Sequence, residues 1–157
     1  MNFVMGLLLS TTKKNAIWVI VDRINKSAHF LPIRDTWNVE KLAQLYVKEI
    51  VRLHRIPANI MFDKDQRFQA FFLLALQQVF GTKLNFSNSS HHKIDGQTKR
   101  VNQILEDMLR ACVLEFQGKW EDDLPLVEFS YNNSYQSTIK TAPFKALYER
   151  KCQTPLS

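Results

Sequence analysis

Three places in this 157-residue chain carry residue types able to do chemistry. Asp63 closes the short apolar run ANIMF (58–62), which reads as a strand. Further on, the polar stretch NSSHHKIDG (88–96) leads into a strongly periodic helix whose first turn holds Lys99 and Arg100. Asn2 stands at the head of the first apolar run. Where helices cover a sheet, sites gather at strand ends and neighbouring helix starts, which singles out Asp63 and the segment 96–100. The chain carries 21 Lys and Arg against 15 Asp and Glu, a formal charge of +6 and a pI near 9.4. That balance suits a polyanionic partner, nucleic acid foremost, or simply a surface of solvated lysines. Lys64, Lys93, Lys99, Arg100 and Arg110 are the candidate phosphate contacts.

Other chemistries find little support. Cys112 and Cys152 form neither a CxxC pair nor a disulfide framework, and a reducing compartment fits them. His29, His54, His91 and His92 lack the cysteine spacing of a zinc finger. FVMGLLL (3–9) has no basic residue before it and no small-residue cleavage site after it, and it is far too short to span a bilayer. It reads as a buried strand, in a protein that is nuclear or cytoplasmic rather than secreted or membrane-bound.

The elements that would position these residues follow from periodicity. After the polar turn STTKKN, AIWVIVD (16–22) is a β-branched run suited to a central strand buried on both faces. AHFLPI (28–33) is a third strand, with Pro32 marking an edge. Val39, Leu42, Ala43, Tyr46, Val47, Ile50 and Leu53 then recur at helical spacing, with Asn38 as N-cap and Pro57 as stop. Residues 67–80 form an apolar helix ending at Gly81, and TKLNFS (82–87) a further strand. Val101, Ile104, Leu105, Met108, Leu109, Cys112, Val113 and Phe116 make one stripe of the next helix, which predicts a buried Cys112. Lys99, Gln103, Glu106 and Arg110 make the opposite stripe. Residues 120–135 and 143–150 complete the helices. Trp18, Trp37 and Trp120 are expected to pack, and Asn132 and Asn133 to act as turn or cap residues. Three strands followed by strand–helix alternation describe one α/β domain over 1–157, a mixed sheet flanked by helices.

The stretches AIWVIVDRINKSAHFLPI, IMFDKDQRF, GTKLNFS, IDGQTKRVNQILEDMLRACV and LPLVEFSYNNSYQSTIKTAPFKALYERK cover nearly the whole chain in one order. Together they resemble the integrase catalytic core of Gypsy-type long-terminal-repeat retrotransposons, plant elements especially. The resemblance implies a ribonuclease-H-like fold with a mixed five-stranded sheet. It also implies an activity that trims DNA 3′ ends and joins them to target phosphates. In that family three carboxylates hold two divalent cations, Mg2+ or Mn2+, one activating the attacking oxygen and one stabilising the leaving oxygen. Hard cations require such oxygen ligands.

Matched residue by residue, the family's first Asp falls on Asn2 in NFVMGL, its second on Asp63 in FDKDQRF, and its Glu on Lys99 in DGQTKR. Thirty-five residues lie between Asp63 and Lys99, the family interval. The register is intact, yet two of the three carboxylates are replaced, and a site of formal charge −3 becomes neutral. Asp63 remains as the residual metal ligand, and Lys99 is expected to pair with it across the vacant position. Asp95, Asp65 and Glu106 do not restore the geometry. HHKIDGQ replaces the family's HPQTDGQ, and YER its YGR. The resemblance thus implies a core cut short at its N-terminal edge, without zinc-binding or C-terminal DNA-binding domains. It is expected to lack productive metal and strand transfer. The roles left are weak electrostatic DNA binding, a homodimer, pairing with an intact integrase, or none, as a genomic relic.

Overall fold

A computed structural model of the chain describes residues 1–22, 27–51, 66–81 and 96–134. Within them the order is β1 (Asn2–Val4), β2 (Ala16–Val21), β3 (Ala28–Ile33), α1 (Val39–Tyr46), α2 (Gln66–Phe80), α3 (Gly96–Phe116) and α4 (Trp120–Asn132). The strands form an antiparallel sheet in the order β1-β2-β3. This is the mixed α/β class with the three-stranded opening that the patterning predicts. The strands expected at 58–62 and 82–87, and the helix at 143–150, lie outside the described residues.

β2 is central, as its composition requires. Ala16 through Ile20 are buried, because both faces of the strand are covered. The ring of Trp18 stacks on that of Phe3 at 5.7 Å. β3 runs antiparallel to β2 with Val19 opposite Phe30 and Ile17 opposite Pro32. One expectation needs correction: β1 ends at Val4, not at residue 9. Gly6 adopts φ +69, a left-handed conformation that glycine reaches without a Cβ penalty, and the chain turns there. Val4 is buried, whereas Met5, Leu8 and Leu9 are exposed. Backbone pairing resumes as Leu7 N donates to Asn15 O and Ser10 N to Lys14 O.

The chain separates into two compact units. The first comprises Met1–Asn2 and Thr36–Ile104. In it α1 packs on α2, with Tyr46 set edge-on to Phe72 at 5.5 Å and Phe68 stacked on Phe72 at 6.0 Å. Asn38 caps α1 as predicted, its side chain accepting from Lys41 N at 2.9 Å. The expected single helix from 39 to 53 instead widens into a π-helical turn, Val47–Val51, which still buries Ile50. α2 ends at Gly81, φ +66, as the sequence indicates. The second unit comprises Phe3–Asp35 and Leu105–Ser157. Leu105, Leu109 and Val113 of α3 are buried there, together with Trp120 and Leu124 of α4. The predicted α3 stripe is covered only along its centre: Ile104 is exposed, and Val101, Met108, Cys112 and Phe116 are half-buried, because the covered face is narrower than the apolar stripe.

Candidate functional site

β1 places Asn2 at its first residue, half-buried, and the first turn of α3 places Lys99 and Arg100, both exposed. Asn2 and Lys99 belong to the same compact unit. Asp63, Lys64 and Lys93 lie outside the described residues, and so does the expected Lys99–Asp63 pair. The first turn of α3 contains no acidic residue. Backbone N–H groups and two cations therefore share one helix end, an arrangement that favours anions.

The donor chemistry of Asn2 and Lys99 does not suit a pair of divalent cations. A side-chain amide offers a neutral oxygen, and a charged ammonium has three N–H donors and no lone pair. Among the described residues, no group of three or more His, Cys, Asp or Glu side chains could hold a metal ion. Nor, among them, is any helix long and apolar enough to cross a membrane.

Arg110 is a different kind of cation from Lys99 and Arg100. Its Nε and Nη2 reach Glu106 Oε1 at 3.3 and 3.1 Å, and Nη1 donates to Met5 O at 3.1 Å. The guanidinium therefore ties α3 to the segment after β1. Its nomination as a phosphate contact is weakened, because those donors are already engaged. Glu106, considered as a substitute acid, is the other half of this pair.

Two polar constellations escape sequence reasoning. The first joins α4 to β3. Asn132, expected as a turn or cap residue, is the last residue of α4 and is buried. Its Oδ1 accepts from Ala28 N at 2.7 Å and its Nδ2 donates to Ala28 O at 2.8 Å. One turn earlier, Glu128 Oε1 accepts from Phe30 N at 2.7 Å and lies 3.7 Å from His29 Nδ1. Asn133 does match its expectation, as the C-cap of α4. The available signal was the i, i+4 spacing of Glu128 and Asn132, which puts both on one helix face.

The second constellation docks the β1–β2 turn on the start of α4. Ser10 Oγ donates to Glu121 Oε2 at 3.0 Å, and Thr12 Oγ1 donates to the same oxygen. Lys14 Nζ lies 3.3 Å from Glu121 Oε1. Thr11 N donates to Gly118 O, and the indole of buried Trp120 donates to Leu8 O at 2.8 Å. Partial burial pushes the Glu121 carboxyl up, but the hydrogen bonds from Thr12, Ser10 and Lys14 outweigh it and hold the group below its usual value. A carboxyl depressed in the folded state contributes stability above its unfolded pKa and loses it as pH falls through the folded value. We expect acid to destabilise the protein partly through this group. In Glu121→Gln, the stability difference from the wild type should be largest near neutral pH and shrink at low pH, as urea unfolding at a series of pH values would measure.

Cys112 has a thiol raised by burial and by the neighbouring Glu115 carboxylate, so it stays protonated at neutral pH. That state suits a packing residue rather than a nucleophile.

No protein-family model matches the chain. It is similar to the Transposon Tf2-3, Tf2-4 and Tf2-5 polyproteins of Schizosaccharomyces pombe, each 29% identical over 134 residues. The aligned stretch covers 85% of this chain and 10% of each polyprotein. The chain thus spans about a tenth of the length of the curated relatives it matches. The comparison supports a transposon-derived chain that corresponds to one segment of such a polyprotein.

Proposed function

We propose that the chain is the catalytic-core segment of a Gypsy-type retrotransposon integrase, of ribonuclease-H-like fold, that binds DNA but no longer transfers strands. Similarity to transposon polyproteins over most of the chain supports the origin. The three-stranded antiparallel opening, followed by helices in the expected order, supports the core assignment. The observation that carries the loss of activity is Lys99. It stands exposed in the first turn of α3, thirty-five residues after Asp63, where the chemistry needs a carboxylate. With Asn2 at the first position, Asp63 is the one acid left, and neither Mg2+ nor Mn2+ is held productively. A strand-transfer assay with either cation should give no product. Turnover that disappears in Asp63→Ala would overturn the reading.

The partner in this reading is DNA, held electrostatically. The first unit carries Lys41, Lys48, Arg67, Lys99 and Arg100 against Glu40 and Glu49 among its described residues. In the described residues of the second unit acidic side chains outnumber basic ones. The first unit is therefore the DNA-facing one. Affinity for a short duplex should fall steeply with salt. Lys99→Ala and Arg100→Ala should each lower the slope of log affinity against log salt by about 1. Arg110→Ala should change it less, since its guanidinium is bound to Glu106 and Met5 O. An equal effect at all three positions would remove the distinction. Pairing with itself or with an intact integrase, and a nuclear or cytoplasmic location, belong to the same proposal.

A further inference from the structure

α1 and the π-helical turn that follows it carry a row of exposed polar side chains. Lys41, Gln44 and Lys48 are exposed and recur at helical spacing, three and four residues apart. Leu42, Ala43, Tyr46 and Ile50 take the buried side. The row extends back to Trp37, four residues before Lys41 and immediately before the Asn38 cap. Trp37 is half-buried, and the Lys41 ammonium lies over its ring, 4.1 Å from the centroid. Asn38 Oδ1 accepts from the Lys41 backbone N–H at 2.9 Å, so that lysine is held at both its backbone and its head group.

A lysine ordinarily meets a phosphate as a flexible arm, and ordering that arm opposes binding. Lys41 differs because its ammonium already rests on an indole face. An ammonium has three N–H donors, more than one ring face can engage. Lys48 lies seven residues on, roughly 10 Å along the axis. Each DNA strand carries one charge per about 3.4 Å of helix axis, so two such cations meet separate phosphates. Glu40 and Glu49 each adjoin a lysine in sequence, which puts them roughly a quarter turn round the helix, beside the row. Glu40 also stands in the first turn of α1, where helix N–H groups favour a carboxylate. The row itself therefore presents two ammonium groups and an amide, and no carboxylate.

We propose that this row is a second DNA-backbone contact, in which Lys41 and Lys48 take phosphates and the Trp37 indole is a positioning residue that holds the Lys41 ammonium ready. The inference rests on the DNA-binding reading above and extends it from the start of α3 to α1. The occupant is DNA because the charge of the row complements a polyanion and α1 belongs to the unit in which basic side chains outnumber acidic ones.

The test uses the full chain and a short duplex titrated at a series of salt concentrations, with circular dichroism to confirm the fold of each variant. Lys41→Ala and Lys48→Ala should each lower the slope of log affinity against log salt by about 1. Lys119→Ala, at an exposed lysine of the second unit, should leave the slope unchanged. Trp37→Leu keeps an apolar side chain but no π face, and Trp37→Phe keeps a ring. Trp37→Leu should weaken binding about 2- to 5-fold at unchanged slope, the most that an exposed cation–π contact can supply, and Trp37→Phe should lose less. Equal losses in the two Trp37 variants would overturn the role of the indole. Slopes that stay unchanged at Lys41 and Lys48 while Lys99→Ala lowers its own would overturn the second contact and leave the DNA-binding reading standing. A wild type without salt-dependent affinity would overturn both. If a Trp37 variant does not fold, the two lysine slopes decide.

Discussion

Asn132→Ala should destabilise the protein by about 3 kcal/mol, because it strips partners from two backbone groups at once. Ala28 N and Ala28 O are both held by that one side chain, at 2.7 and 2.8 Å, in a buried setting. Leaving a single buried donor or acceptor unsatisfied costs roughly 1–3 kcal/mol. Water that enters beside the shortened side chain recovers part of the sum, which is why the expectation sits in the lower half of the range for two groups. For a chain of this size the loss corresponds to a fall in Tm of about 6–12 °C. Asn133→Ala, one residue on at the half-buried C-cap, is the control and should shift stability by only a few tenths of a kcal/mol. Urea unfolding of the two variants checks both values. A loss at Asn132 no greater than at Asn133 would mean that the two contacts to Ala28 contribute little.

The second large effect is a gain. On the proposed reading, Asn2→Asp with Lys99→Glu puts carboxylates back at two ligand positions; it takes the formal charge from +6 to +3. If only ligands have been lost, the double variant should bind Mn2+ or Mg2+ and the wild type should not, as calorimetric titration would show. The same change should weaken DNA binding, since a cation at the start of α3 becomes an anion. Each single reversion should bind metal weakly at best, because hard dications need several charged oxygens brought together. Failure of the double reversion to bind metal, in a protein that still folds, would locate the defect in the scaffold around Asp63 rather than in the two substituted ligands.

The local elements were legible because each rests on a short-range pattern. The β-branched run 16–21 is a buried strand, Asn38 caps a helix, and Gly81 ends one. β1 is shorter than its pattern suggests, because in FVMGLLL six apolar residues outweigh one glycine by count alone. The backbone turns at Gly6, and Met5, Leu8 and Leu9 are left in solvent. Ile104 is exposed and Cys112 half-buried despite the stripe, because periodicity gives the direction of a stripe but not the width of the surface that covers it.

The candidate site divides in the same way. Residue type alone establishes that Asn2 and Lys99 are poor metal ligands, since ligation needs lone pairs and charge that no fold can add to an ammonium. Residue type also establishes the basic balance of the chain. Which cations are available is a tertiary matter. Lys99 and Arg100 are exposed, while Arg110 is drawn to Glu106 and Met5 O, a carbonyl more than a hundred positions away in sequence. Asn132 depends on such distance even more. A helix-end asparagine reads locally as a cap, and only the packing of α4 against β3, across 104 residues of chain, turns its amide toward Ala28. Short-range pattern reports the capacity of a side chain to bond. Its partner is chosen by which backbone groups the fold leaves buried and unpaired beside it.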